Sequence, residues 1–184
     1  MKIGSIVIIT LVVILLLYII TVYNGLVTLR NRVKNSWAQI DVQLKNRADL
    51  IPNLVEAVKG YASHEKSTFD EVVKARNAAI SANNIEDTVK ANNMMAEALS
   101  KLMVVVEAYP ELKANSNFLS LQGDLKDTEE KIRYARQFYN DIVLRYNNSI
   151  EVFPKNILAS IFGFREESYF KIDDKDKKVV NVKF

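Results

Sequence analysis

The stretch IGSIVIITLVVILLLYIITV, residues 3–22, decides how the remainder of the chain is read. It carries no charged side chain over 20 positions and is almost entirely aliphatic. At about 1.5 Å per helical residue it reaches roughly 30 Å, the thickness of a bilayer's hydrocarbon core. A helix apolar all round must be buried on every side in a water-soluble fold, and a chain of 184 residues can hardly do that. The reading is a transmembrane anchor over residues 1–23. Two alternatives compete with it. A cleaved secretory signal has an apolar region of about 7–15 residues ending in a small-x-small site. Here the run is longer, and Thr21-Val22-Tyr23-Asn24 makes a poor cleavage site. The other alternative is a buried core helix.

Basic residues set the expected orientation. Lys2 stands before the run, and Arg30, Arg32 and Lys34 come after it. Lys and Arg are retained on the cytoplasmic side. The expectation is a cell-membrane, single-pass protein with its N-terminus outside and the bulk of the chain cytoplasmic.

The chain beyond the anchor has the length of one domain. The formal net charge of +3 comes from 25 Lys and Arg against 22 Asp and Glu, a mixed surface that does not call for a nucleic-acid partner. There is no cysteine, so disulfides, thiolate catalysis, cysteine metal sites and a lipoprotein signal are all excluded. Five glycines and three prolines leave few helix breakers, which favours long helices over a sheet.

Leu26, Leu29, Val33, Trp37, Ile40 and Leu44 continue at helical spacing from the anchor, with Asn24-Gly25 as a candidate hinge. Asp49 as an N-cap and Pro52 in a first turn predict a break near residue 48 and a second helix from about Leu50 to Ser81. Asn83-Asn84 ends that pattern, and a third helix, capped by Asn84, is expected to run to Pro110. Residues 111–117 read as a loop. A fourth helix opens at Ser116 or Asn117. Its apolar positions Phe118, Leu121, Leu125, Thr128, Ile132, Ala135, Tyr139, Ile142, Tyr146, Ser149 and Phe153 alternate steps of three and four, the seam of an antiparallel bundle. The fold class is therefore all-α: a transmembrane helix continuing into an antiparallel four-helix bundle over residues 24–164, with a short flexible tail over residues 165–184. These bounds carry one mismatch. The first helix beyond the membrane reaches only about 35 Å, against about 54 Å for the fourth.

Several blocks resemble the LemA family. They are Trp37-Ala38-x-Ile40-Asp41-Val42-Gln43-Leu44-Lys45, then Asp49-Leu50-Ile51-Pro52-Asn53-Leu54-Val55, and Gly60-Tyr61-Ala62-x-His64-Glu65. Late in the chain come Ala135-Arg136-x-Phe138-Tyr139-Asn140, Tyr146-Asn147, Phe153-Pro154 and Ile161-Phe162-Gly163-Phe164. The resemblance implies a bacterial protein with one N-terminal anchor and a helical-bundle domain. Some relatives are associated with membrane-shaping compartments such as magnetosomes. It implies no defined activity.

Catalytic patterns are missing. The one histidine, His64, has no second histidine four residues on, so the zinc-protease pattern is absent, and no phosphate loop or Gly-x-Ser-x-Gly elbow occurs. The expectation is no enzyme, no cofactor, no metal and no small-molecule substrate. Two surfaces stand out. Asp41, Arg47 and Asp49 lie around the expected first turn; they read either as salt bridges and caps holding that turn or as a partner-docking site. Ile157, Leu158, Ile161, Phe162 and Phe164 form an apolar segment too short to span, flanked by Lys155 and Arg165, and are candidates for membrane contact. The expected partners are the lipid bilayer and a protein partner or a second copy of the chain. The leading functional reading is a non-enzymatic membrane-anchored scaffold that self-assembles to organise or remodel membrane. Its alternative is an accessory or sensory subunit of a membrane enzyme complex such as a membrane protease.

Overall fold

The computed structural model describes residues 2–171. The acidic-basic run 173–178 and the weakly alternating segment 179–184 lie outside the described residues. All regular structure among the described residues is helical. The elements are α1 Lys2–Lys59, α2 Lys66–Ser81, α3 Ile85–Glu107, α4 Pro110–Lys113, α5 Ser116–Glu151 and α6 Lys155–Ile161. They fall into two units. One takes residues 2–38 and 137–169, the other 39–136 and 170–171.

The break expected near residue 48 does not occur. α1 runs unbroken for 58 residues with Pro52 inside it. A proline in a helix interior has no N–H to give the carbonyl four residues back, here that of Ala48. The Arg76 side chain of α2 supplies the missing donor: its Nε donates to the Ala48 carbonyl at 2.9 Å. The helix instead ends at Lys59, in a turn through Gly60-Tyr61-Ala62. The Ala62 N–H bonds the Val58 carbonyl at 2.9 Å and the Glu65 N–H bonds the Ala62 carbonyl at 3.1 Å. α2 is accordingly half as long as expected. This also removes the length mismatch. Residues 24–59 of α1 are as many as the 36 residues of α5, each about 54 Å.

In the second unit α1, α2, α3 and α5 make an up-down-up-down bundle. Lys59 lies 5.9 Å from the Phe69 ring while Arg76 reaches back to Ala48, so α2 descends beside α1. Asn92 early in α3 meets Arg47, and Asn115 just beyond α4 donates to the Tyr61 hydroxyl, so α3 runs with α1. Glu129 of α5 returns to Arg47. The shared core includes Ile51, Leu54 and Val58 of α1, Phe69 and Val72 of α2, Met95, Leu99 and Leu102 of α3, Leu112 of α4, and Phe118 and Leu125 of α5. α3 begins as its sequence predicts. The Asn84 side chain accepts from the Asp87 N–H at 2.9 Å, and Glu86 and Asp87 sit at the positive end of the helix dipole. Residues expected to be loop contain α4, with Pro110 in its first turn. Asn115, one residue ahead of the expected cap, accepts from the Asn117 and Phe118 N–H groups at the start of α5.

In the first unit α5 passes antiparallel to α1. Trp37 meets Tyr139 edge to face, with ring centroids 5.4 Å apart, while Ser149 lies across from Val22 and Gly25. Of the predicted seam, Tyr139, Ile142 and Tyr146 are buried; Phe153 lies beyond the helix end and is exposed.

Candidate functional site

The apolar run is the part of α1 whose side chains meet least protein. Ile6 through Leu17 contribute an almost continuous set of exposed large hydrophobics. Its two threonines are satisfied internally: the Thr10 hydroxyl donates to the Ile6 carbonyl at 2.9 Å and the Thr21 hydroxyl to the Leu17 carbonyl at 2.8 Å. A helix that meets lipid needs such internal closure, because no water is there to replace it. By length and composition α1 is able to cross a membrane.

Just beyond that run an aromatic clasp holds the end of α6. Tyr23 meets Phe162 at 4.9 Å and Phe164 at 5.9 Å between ring centroids, both edge to face. The Arg30 guanidinium lies 5.1 Å from the centre of the Phe164 ring. Gly163, at φ +70°, makes the turn between the two phenylalanines in a conformation that L side chains rarely adopt. The predicted membrane-contact residues therefore divide. Phe164 is buried and Leu158 half-buried against protein, whereas Ile157, Ile161 and Phe162 remain exposed. Next to the clasp is an open cleft of about 530 Å³ with Tyr18, Val22 and Leu29 on its walls and the cations Arg32 and Lys155 among its lining.

A second feature of this unit lies farther up α5. The Asn147 side-chain amide donates to the Glu167 carbonyl and accepts from the Glu167 N–H, both at 3.0 Å, as a neighbouring strand would. The Tyr139 hydroxyl donates to the Ser168 carbonyl at 2.8 Å. Residues 165–169, placed in the tail by sequence, are thus held to α5 at two points. Burial, reinforced by the Glu167 carboxylate, pushes the Tyr139 hydroxyl up to about 12. The same two causes raise Tyr146. In the other unit the Arg136 guanidinium lies 4.9 Å from the ring centre of buried Phe170.

Asp41, Arg47 and Asp49, read either as salt bridges and caps holding a turn or as a docking site, also divide. Asp41 and Asp49 are exposed. Arg47 is 1% exposed: its guanidinium donates to Glu129 Oε1 at 2.7 Å and to Asn92 Oδ1 at 2.9 Å. It is an internal tie between three helices and offers no docking surface. With α1 continuous through residue 48, these residues do not sit at a turn. Sequence periodicity places Asn92 on the α3 core face, and a buried amide there signals a polar partner; only the fold brings that partner from residue 47. His64 stands exposed in the turn between α1 and α2. Among the described residues no three His, Cys, Asp or Glu groups come together to hold a metal.

These elements define a class: an all-helical bundle protein with, among the described residues, one helix long and apolar enough to cross a membrane. The chain belongs to the LemA family, whose sequence model matches residues 36–184. It is 26% identical over 174 residues to the magnetosome protein MamQ of Magnetospirillum gryphiswaldense, covering 80% of this chain and 64% of that protein. Magnetosome protein MamQ 1 of Paramagnetospirillum magneticum is likewise 26% identical, with 81% and 64% covered. Protein LemA of Metamycoplasma hominis is 22% identical over 161 residues, with 86% and 73% covered. The chain thus spans about 64% of the length of the magnetosome proteins it matches.

Proposed function

We propose that this protein is a membrane-anchored, non-enzymatic helical scaffold that assembles laterally to organise or shape membrane. The carrying observation is α1, in which a 20-residue lipid-compatible run and a bundle helix are one uninterrupted element. An anchor built this way tethers the bundle through helix. The names of the MamQ relatives, which place them with the magnetosome, support a role at an organised compartment. The proposed topology puts the N-terminus outside and the bundle in the cytoplasm, on the basis of Arg30, Arg32 and Lys34. Affinity purification of the intact protein in mild detergent tests the scaffold reading. Homo-oligomers of defined size support it. Stoichiometric recovery of a membrane protease or another enzyme supports the alternative, an accessory or sensory subunit, for which exposed Asp41 and Asp49 remain the proposed contact. Because the sequence has no cysteine, a single cysteine placed at Asp41, or inserted between Met1 and Lys2, and labelled from either side of the membrane reads topology directly.

A further inference from the structure

α6 and the turn before it present an apolar face that no described residue covers. Phe153 is 75% exposed, Ile157 52%, Ile161 69% and Phe162 45%. Solvated turns rarely collect four large hydrophobics within ten residues, and such a patch marks a binding surface. The opposite side of the same segment is firmly seated, since Ala159 and Phe164 are buried and the Phe164 ring packs on Tyr23; Phe162, at the edge between the two sides, meets Tyr23 as well and stays 45% exposed. The exposure is therefore a property of a docked element, not of a frayed end.

Tyr23 fixes where that element lies. It is the first residue after the run 3–22, so within this unit α6 is level with the end of the apolar run. That is the depth at which aromatic rings and amphipathic helices partition between headgroups and acyl chains. Lys155 and Arg165 bracket the segment, and Lys155 shares its cleft with Arg32. Neither Arg32 nor Lys155 has a salt-bridge partner among the described residues. Uncompensated cations beside an apolar face complement anionic headgroups.

We infer that Phe153, Ile157, Ile161 and Phe162 enter the bilayer interface as a second lipid contact beside α1, with Lys155 and Arg32 facing anionic headgroups. The occupant is lipid rather than a second copy of the chain. The patch continues the exposed surface of the apolar run at its water-side end, where lipid is already the neighbour. This inference rests on α1 spanning the membrane.

The test uses the intact protein in vesicles of phosphatidylcholine and phosphatidylglycerol. Single cysteines at Ile157 and Ile161 carry spin labels, with Leu11 as the lipid reference and Val104, 70% exposed on α3, as the aqueous reference. Collision with oxygen, which concentrates in lipid, is compared with collision with a water-soluble nickel chelate. The expected result is an oxygen-to-nickel ratio at 157 and 161 several-fold above that at 104 and approaching that at 11. A ratio equal to that at 104, with residue 11 in lipid, overturns the second contact and leaves the anchor standing. Shielding of 157 and 161 from both reagents means that protein covers the patch, and also overturns it. A water-like ratio at residue 11 overturns the anchor, and this inference with it.

Discussion

Arg76 donates its Nε hydrogen to the Ala48 carbonyl, the one acceptor in α1 that Pro52 deprives of its helical donor. A side chain 28 positions away thus completes a backbone ladder. An unsatisfied buried carbonyl costs about 1–3 kcal/mol. Arg76→Ala should lower the unfolding free energy in detergent micelles by about that amount. Pro52→Ala restores the N–H, so the cost of Arg76→Ala should shrink in that background. Urea titrations of the four proteins give the coupling; strict additivity would sink the account.

The Arg47 tie predicts an asymmetry. Glu129→Ala leaves a buried guanidinium without its counter-charge, and breaking a buried pair in this way costs about 3–5 kcal/mol, less here because Glu129 itself is 43% exposed. Arg47→Met removes the charge and keeps most of the volume; Glu129, 43% exposed, can turn to water, and the buried Asn92 carbonyl oxygen is left without its donor, for about 1–3 kcal/mol. Melting temperatures should therefore fall further for Glu129→Ala than for Arg47→Met. The reverse order would show that the charge is not confined as described.

Tyr139 makes stability pH-dependent in the alkaline range. Its hydroxyl holds its proton to about 12 in the folded protein, against about 10 when unfolded. With the folded value raised, this contribution is complete below pH 10 and is lost as pH climbs towards 12. A rise from about 10 to about 12 corresponds to on the order of 2–3 kcal/mol. Tyr139→Phe should cost about 1 kcal/mol near neutrality through its lost hydrogen bond to Ser168. That penalty should shrink or change sign by pH 12, as read from unfolding midpoints across pH.

The double hydrogen bond from Asn147 predicts a graded effect on hydrogen exchange. Asn147→Asp keeps an acceptor for the Glu167 N–H and loses the donor to its carbonyl. Asn147→Ala loses both. Amide exchange at Glu167 should quicken moderately in the first and strongly in the second, with the core of α3 unchanged. Equal rates in all three proteins would mean that the segment is held elsewhere.

Much of the architecture is legible in the chain because local chemistry decides it. Asn84 caps α3 through its own side chain, and the threes and fours from Phe118 to Tyr146 name the face that α5 buries. The misreading at Pro52 has a different origin. Proline ends a helix unless something far away repairs it, and no local pattern announces that Arg76 will do so. The true end at Gly60 is hidden for the complementary reason: apolar residues continue on both sides at helical spacing, so the turn leaves no gap in the periodicity. Arg47 reads as part of a salt-bridged turn or a docking site because the expected break at Pro52 puts it at a helix end; only the fold shows it buried inside α1, and Asn92, on a face of hydrophobics, carries the hint. The α6 segment is recognisable as apolar, but only its packing in the fold separates Leu158 and Phe164, which turn to protein, from Ile157, Ile161 and Phe162, which stay exposed.

Neither unit is a contiguous piece of chain. Each takes part of α1 and part of α5. A cut at residue 38 that discards the apolar run would strip Trp37 from Tyr139 and bare the buried seam of α5 from Ile142 to Tyr146. Trimming the apolar run to obtain a soluble fragment is therefore a choice of how much of α5 to orphan. A division that leaves α5 covered must fall inside the apolar run, ahead of buried Val22, and not after the bundle begins.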